Sequence, residues 1–465
     1  MSDPAPPRHA QENGNVSFWF AQTGFPPRRP PLQGPTSADV CVVGAGYTGL
    51  WTAYHLKKAR PDWDVVVLER EFAGFGASGR NGGWLSGKIP GSPARFAKER
   101  GRSAVLRFQA LMNAEVDEVL AAMEHEGIEA DAVRSGYLRV AHAPAQLERL
   151  RASVEHDRHW GHEDEVLLTA DELAERINVA GGLAAAFNPH CARVHPAKLV
   201  TGLAAAVTRL GVRLHESTPV TRIAPRTAST PFGDVHARYV LRCTEGYTAG
   251  LPGERRTWLA MNSSMIVTEP LPHAVWENLG WAGHELFSDQ THAYLYGQRT
   301  ADGRIALGGR GVPYRFGSRV ETRGATSPAT VASLGATLAR LFPSAAGSAL
   351  AHAWSGVLAV PRDWCPSVHL ERSDGLGWAG GYTGQGVTAS HLAARTLTDL
   401  VLGEETERTR LPWTEHTSRR WEPEPARWLG VRGMYAAYRA ADRQESAGRS
   451  STSPLAHVAD AISGT

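Results

Sequence analysis

The chain has 465 residues, 42% hydrophobic and 21% charged, an ordinary globular composition with length enough for two or three domains. Lys and Arg number 49 against 47 Asp and Glu, and this net charge of +2 points to neither nucleic acid nor an anionic membrane surface as a partner. The start of the chain is polar and Pro-rich, no run of about 20 apolar residues exists, and Cys41, Cys191, Cys243 and Cys365 stand far apart, so the expectation is a cytoplasmic protein with reduced thiols, no secretory signal, no membrane span and no metal site.

Residues 1–16 read as a disordered tail, and 17–20 followed by the Pro-rich 25–35 as an extended lead-in over the surface. Val40, Cys41, Val42 and Val43 then form an apolar run suited to a buried parallel strand. Gly44, Gly46 and Gly49 follow at G-x-G-x-x-G spacing. The first allows a tight turn, the second leaves room for a pyrophosphate, and the third lets a helix pack close to the strand. A helix over 50–58 points its N-terminal amides at the phosphates. A second strand over 65–68 ends in Glu69, about 20 residues past Gly49, where an acid reaches a ribose hydroxyl. Strand, turn, helix, strand and acid together predict a bound adenine dinucleotide. Downstream, Arg70 precedes a small-residue loop, Phe75 through Trp84, that can lend backbone amides to an isoalloxazine ring. This favours FAD over NAD, because a flavin needs a second surface lined by backbone.

The middle of the chain alternates periodicities. Helical spacing covers 102–125, a strand is expected over 137–140, and 146–176 reads as charged and helical. Strand-like stretches over 264–267, 293–296 and 304–307 suit an antiparallel sheet, and a helix is expected over 330–341. A short strand over 376–379 then runs into Gly380-Gly381-Tyr382-Thr383-Gly384-Gln385-Gly386 and a helix over 387–402. This second glycine-rich helix start is the surface a flavin requires, placed to stabilise charge at its N1/C2=O edge.

With both glycine turns in place, the chain resembles the D-amino-acid-oxidase/glycine-oxidase superfamily of FAD enzymes, in its gamma-glutamylputrescine-oxidase-like branch. Supporting segments are Ser78-Gly79-Arg80-Asn81-Gly82-Gly83, His195-Pro196-Ala197-Lys198-Leu199, Thr218-Pro219-Val220, Thr244-Glu245-Gly246-Tyr247-Thr248, Gly308-Gly309-Arg310-Gly311 and Trp354-Ser355-Gly356. The resemblance implies an α/β fold in which a Rossmann-type FAD-binding domain (17–100, 190–252 and 350–405) is interleaved with an antiparallel-sheet substrate domain (101–189 and 253–349). A C-terminal extension over 406–440 and a disordered tail over 441–465 complete the expected division. It implies non-covalent FAD held by Gly44, Gly46, Tyr47, Thr48, Gly49, Glu69, Arg70, Ser78, Arg80, Asn81, Gly82, Gly83, Val220, Thr244, Gly381, Tyr382, Thr383, Gly384, Gln385, Gly386 and Val387.

The implied activity is oxidation of an amine or amino-acid C–N bond by hydride transfer to flavin, with oxygen as acceptor. Candidate pocket walls are Trp84, Tyr294, Tyr296 and Trp354, each of which also reads as sheet packing. Arg310 follows two glycines at a strand end and reads equally as a fork for a substrate carboxylate or as a structural ion pair. Tyr382 reads as reaching toward substrate or packing, His391 as packing, and Cys365 as a packed thiol in preference to a flavin attachment point. The lysine that oxidases of this superfamily set beside the flavin has its counterpart at Ile305-Ala306-Leu307, which holds none. A dehydrogenase with a quinone or protein acceptor, and a flavin-binding protein without turnover, therefore stand beside the oxidase reading.

Overall fold

The computed structural model describes residues 9–463 and contains two large sheets, with a cavity lined by the second sheet and by helix starts and loops that follow strands of the first. The first has a parallel core in the order Arg213–His215, Val65–Leu68, Thr36–Val43, Gly233–Arg242 and Leu376–Gly380. Val40, Cys41, Val42 and Val43 are buried there, as an apolar run in a sheet covered on both faces requires. Helices Tyr47–Ala59 and Gly386–Leu402 pack against each other on one side of it.

The second sheet has nine strands. From edge to edge they are Ala10–Asn13, Leu350–Val360, Leu259–Thr268, Ile305–Gly309, Tyr296–Arg299, Leu286–Asp289, Tyr137–Ala141, Ala184–Asn188 and Val166–Thr169. Pairing is antiparallel except at Ala10–Asn13 with Leu350–Val360 and at Leu286–Asp289 with Tyr137–Ala141. Cα partners Arg139, Ser288, Tyr296, Gly308, Met265 and Trp354 form one row across six strands. Side chains two apart along a strand share a face, so this row and Ser263, Gly356 and Leu358 share one face of the sheet.

Several expectations need correction. The tail read as disordered over 1–16 is ordered from residue 10: Ala10–Asn13 pairs with the sheet edge, while residues 1–8 lie outside the described residues. The lead-in is not extended at 18–23, because Phe18, Trp19 and Phe20 are buried on a helix capped by Ser17. The stretch 146–176 contains the strand Val166–Thr169, whose residues pair with Ala184–Asn188. Residues 293–295 form a loop, and the strand starts at Tyr296. Leu350–Val360, assigned with 350–405 to the cofactor-binding part, pairs instead with Leu259–Thr268 in the nine-stranded sheet. The tail over 441–465 is helical to residue 463, in Ala426–Ser446 and Pro454–Ser463; Val431, Met434 and Tyr435 bury themselves against Leu259, Met261 and Val360. No helix among the described residues is long and apolar enough to cross a membrane, and the four cysteines are buried and unpaired.

Candidate active site

The first glycine turn is built by close backbone approach. Gly44 has φ +105°, and a Cβ there would stand 2.6 Å from the Cys243 carbonyl oxygen. A Cβ on Gly49 would fall 1.9 Å from the Gly44 oxygen, so only glycine lets the helix lie on the strand. At Gly46 the nearest atom to an added Cβ is Ser78 Oγ at 3.0 Å. Ser78 Oγ accepts the Tyr47 amide at 2.8 Å. The helix Tyr47–Ala59 has no side-chain cap and no acid in its first turn. Glu69 accepts the Ala45 and Glu71 amides at 2.8 and 2.9 Å, and its burial raises its carboxyl above the usual range. Arg70 points outward and faces Glu71 at 3.5 Å. Val220 packs under the parallel strands, and Thr244 Oγ1 bonds Thr248 Oγ1 at 2.8 Å.

The loop after the second strand is held mainly by its own polar groups. Arg80 is buried and donates to the carbonyls of Phe75 and Thr322, both at 2.8 Å, and of Ser355 at 3.3 Å. Its guanidinium thereby ties the loop to the nine-stranded sheet. Asn81 donates to the Ser78 carbonyl and accepts the Gly83 amide. Gly82 lies beneath the Tyr296 ring, 2.8 Å from where its Cβ would be. Gly83, with φ +71°, leaves as little room beside Gln298 and the Val194 carbonyl.

The second turn runs through positive φ at Gly381, Thr383 and Gly384, at +82°, +56° and +106°. The helix Gly386–Leu402 that follows again has no side-chain cap and no acid in its first turn. The Tyr382 hydroxyl meets Thr48 Oγ1 at 3.2 Å and links the two helix starts. Glu245 was not among the residues assigned a role from the sequence. Its Oε1 accepts the Tyr382 amide and its Oε2 the Ala359 amide, both at 3.1 Å. Burial raises its carboxyl from 4.5 to about 7.

Both helix starts open on one cavity of about 350 Å³. Tyr47, Thr48, Ser78, Arg80, Asn81, Gly82, Tyr382, Gly384, Gln385, Gly386 and Val387 line it, together with Trp84, Tyr294, Tyr296 and Glu245. Gly356, Val357 and Leu358 face it at one end, and Lys88, Tyr137, Arg139, Ser288, Asp289 and Gln290 also line it. Gly44, Gly46, Gly49, Glu69, Arg70, Gly83, Val220, Thr244, Gly381 and Thr383 are outside that lining, shaping the turns or lying beside them.

Two residues read as substrate contacts do not line the cavity. Trp354 shares the sheet row with Tyr296, but the 79–81 loop and Phe18 cover it, and its Nε1 donates to the Arg80 carbonyl at 2.9 Å. Arg310 is screened by the 290–295 loop: its guanidinium lies 4.5 Å from the Tyr294 ring centre, and Nη2 donates to the Tyr294 hydroxyl at 2.8 Å. His391 is buried between Trp51, His55 and Glu115. Cys365 is buried away from the cavity, its thiol pushed up to about 12 by burial.

A family profile described as FAD dependent oxidoreductase (DAO) matches residues 39–400. The chain is 30% identical over 375 residues to gamma-glutamylputrescine oxidoreductase of Escherichia coli (strain K12), covering 79% of this chain and 84% of that protein. It is 27% identical over 403 residues to the probable oxidoreductase OrdL of Haemophilus influenzae, covering 84% and 88% of the two chains. Among solved structures, glycine oxidase from Geobacillus kaustophilus superposes with a TM-score of 0.66 at 22% identity, over 82% of this chain and all of that one. L-Amino acid deaminase from Proteus myxofaciens superposes with a TM-score of 0.68 at 15% identity, over 89% and 99%.

Proposed function

The chain belongs to the DAO family of FAD-dependent oxidoreductases, and on that premise we propose that it oxidises the C–N bond of a primary or secondary amine or amino acid to an imine, which water then hydrolyses. FAD is the cofactor, and when bound it supplies the hydride acceptor. The observation that carries the reading is a pair of helix N-termini with no acid in the first turn, the first with only its Tyr47 amide taken by Ser78 Oγ, both opening on one cavity opposite the face of an aromatic-bearing sheet. Such ends leave backbone amides for the negative groups of a dinucleotide and a flavin.

The residues present fit that cofactor. A would-be Cβ at Gly384 meets only Tyr294 Oη at 3.6 Å and Leu358 at 4.0 Å, whereas one at Gly46 would stand a tight 3.0 Å from Ser78 Oγ. The Tyr247 hydroxyl beside the loop is buried without a protein partner. In this reading Tyr47, Thr48, Ser78 and Asn81 hold the phosphate and ring side, and the 381–387 turn holds the pyrimidine edge.

The protein's own contribution is orientation and drying. Val357, Leu358 and Val387 give the ring end of the cavity an apolar wall, which disfavours an ammonium and favours the neutral amine that can release hydride. Burial pushes the Tyr296 hydroxyl up to about 12, so it stays protonated at neutral pH, bonded to Ser263 Oγ at 2.9 Å. Its ring forms a fixed wall for the substrate.

Oxygen is the acceptor in this reading, with hydrogen peroxide as by-product. A quinone or protein acceptor is a second reading, favoured by the fully buried, apolar Ile305, Ala306 and Leu307 where the oxidase lysine has its counterpart. Anaerobic mixing of the FAD-loaded protein with a panel of amines and amino acids tests the function. Bleaching by an amine is expected, and bleaching by NADH alone would overturn it. Oxygen uptake matching amine consumption separates the two acceptors.

A further inference from the structure

We propose that Glu245, held where the strand Leu350–Val360 meets the second glycine turn, opposes negative charge on the bound cofactor and so makes the flavin's reduction potential depend on pH. The proposal rests on the reading above that the 381–387 turn holds the pyrimidine edge, and not on which donor is oxidised. Glu245 heads the 3-10 turn Glu245–Gly250, just past the parallel strand Gly233–Arg242. It is buried and lines the cavity together with Val357, Leu358, Tyr382 and Gly384. Its oxygens reach both parts of that wall, Oε2 accepting the Ala359 amide and Oε1 the Tyr382 amide, each at 3.1 Å. The carboxyl therefore stands beside Leu358 and at the head of the turn that runs into the helix Gly386–Leu402.

No close cation answers its charge. Arg242 bears on it less than burial or any of the amides of Tyr382, Gly381 and Ala359. The Arg242 guanidinium is turned toward Trp258 and Trp378, 4.7 and 5.7 Å from their ring centres, and faces Glu254 at 3.8 Å. The other titratable groups packed around Glu245 stay neutral. The Tyr382 hydroxyl is bonded to Thr48 and held well above its usual range by burial, and burial pushes the Cys243 thiol up to about 12. The facing strand contributes Val357, Leu358, Ala359 and Val360, none of which titrates. Glu245 itself is raised to about 7, so it exchanges its proton in the neutral range. The start of the helix Gly386–Leu402 carries partial positive charge and favours electrons on a ring placed there. Ionised Glu245 counters that effect and protonated Glu245 does not. Glu245 therefore takes up a proton from solvent when two electrons from the donor enter the cofactor, and by linkage the proton eases the reduction.

The test is anaerobic reduction of the FAD-loaded protein by dithionite in equilibrium with a redox dye, from about pH 5.5 to about pH 8.5, with no amine present. At the alkaline end Glu245→Gln should be the easier to reduce by about tenfold in the equilibrium constant, ~30 mV for a two-electron couple, and the two proteins should converge at the acid end. The reduced-minus-oxidised infrared difference spectrum of the wild type at about pH 7.5 should gain a protonated-carboxyl band that Glu245→Gln lacks. The infrared measurement decides even where the variant does not fold, because a wild type without that band overturns the proposal. Equal potentials for both proteins at every pH overturn it as well. A difference of the same size at every pH would mark Glu245 as a support for the turn alone, and the proposal would fall. If the pH-dependent difference is found but no amine bleaches the flavin, the oxidation reading fails and the role of Glu245 stands.

Discussion

Glu245 sits where the two sheets and the second glycine turn meet, and its carboxylate accepts amides from residues 359 and 382. Burial is the largest influence on it, and the amides of Tyr382, Gly381 and Ala359 oppose that only in part, so the carboxyl rises from 4.5 to about 7. The sign for stability follows from linkage: between those values the folded state holds a proton that the unfolded chain has lost, so stability falls as pH rises through the window and levels off above it. Thermal melts of the FAD-loaded protein from pH 4.5 to pH 8 should show this fall, and Glu245→Gln should flatten it. A Gln variant with the same slope as wild type would show that other groups set the pH dependence. Single residues were also where sequence reasoning was weakest. Arg310 was read from the two glycines before it at a strand end, and Trp354 as an aromatic wall in a segment resembling the family's substrate sheet; each is covered by a loop whose course no local pattern encodes. Lys88 and Glu245 carried no spacing signal; only the folded cavity brings them together with the glycine turns.

Among the elements, the turn from 44 to 49 was legible because its glycine spacing, apolar strand and helix stand in one short stretch of sequence, and the folded chain shows what the glycines answer to. The Cys243 carbonyl excludes a side chain at Gly44, and the Gly44 oxygen excludes one at Gly49. The strand Val65–Leu68 and the helix Arg102–His125 were equally clear, since an unbroken apolar run and a long 3.6-residue period are local signals. Leu286–Asp289 was missed because four residues of mixed polarity become a strand only beside Tyr137–Ala141. Gly46 makes the turn testable. Its Cβ position is 3.0 Å from Ser78 Oγ, which accepts the Tyr47 amide. Gly46→Val would add methyl groups on the side where the helix amides are presented. The variant should fold with near-normal far-ultraviolet circular dichroism yet purify with less than about a tenth of the wild-type flavin. Normal flavin content in this variant would move the pyrophosphate elsewhere.

Across the whole molecule, the helix Ala426–Ser446 reaches back to hold a wall of the cavity. Asp442 accepts the His292 amide at 2.8 Å and the Ala293 amide at 3.2 Å. Glu445 bonds Arg149 and His292, both at 2.9 Å, while Arg149 also donates to the Gln290 carbonyl at 2.6 Å. These contacts fix the loop that carries Gln290, Thr291 and Tyr294 into the cavity. The sequence offered little warning, because Arg, Asp, Gln and Ser over 439–446 look like a solvated tail until their partners, about 150 residues earlier, are in place. Burial alone would raise the Glu445 carboxyl, but the bonds from Arg149 and His292 lower it to about 2. The stability it contributes is therefore complete above pH 4.5 and lost as pH falls toward 2. Asp442→Ala removes two acceptors from loop amides, a loss of about 1–3 kcal/mol at ordinary hydrogen-bond strengths. The loop should loosen while the glycine turns, which it does not support, stay intact. Flavin content should match wild type, and KM for the best substrate should rise by about three- to thirtyfold with a smaller change in kcat. Loss of flavin in proportion to loss of activity would show that the helix supports the cofactor side of the molecule and not the substrate wall.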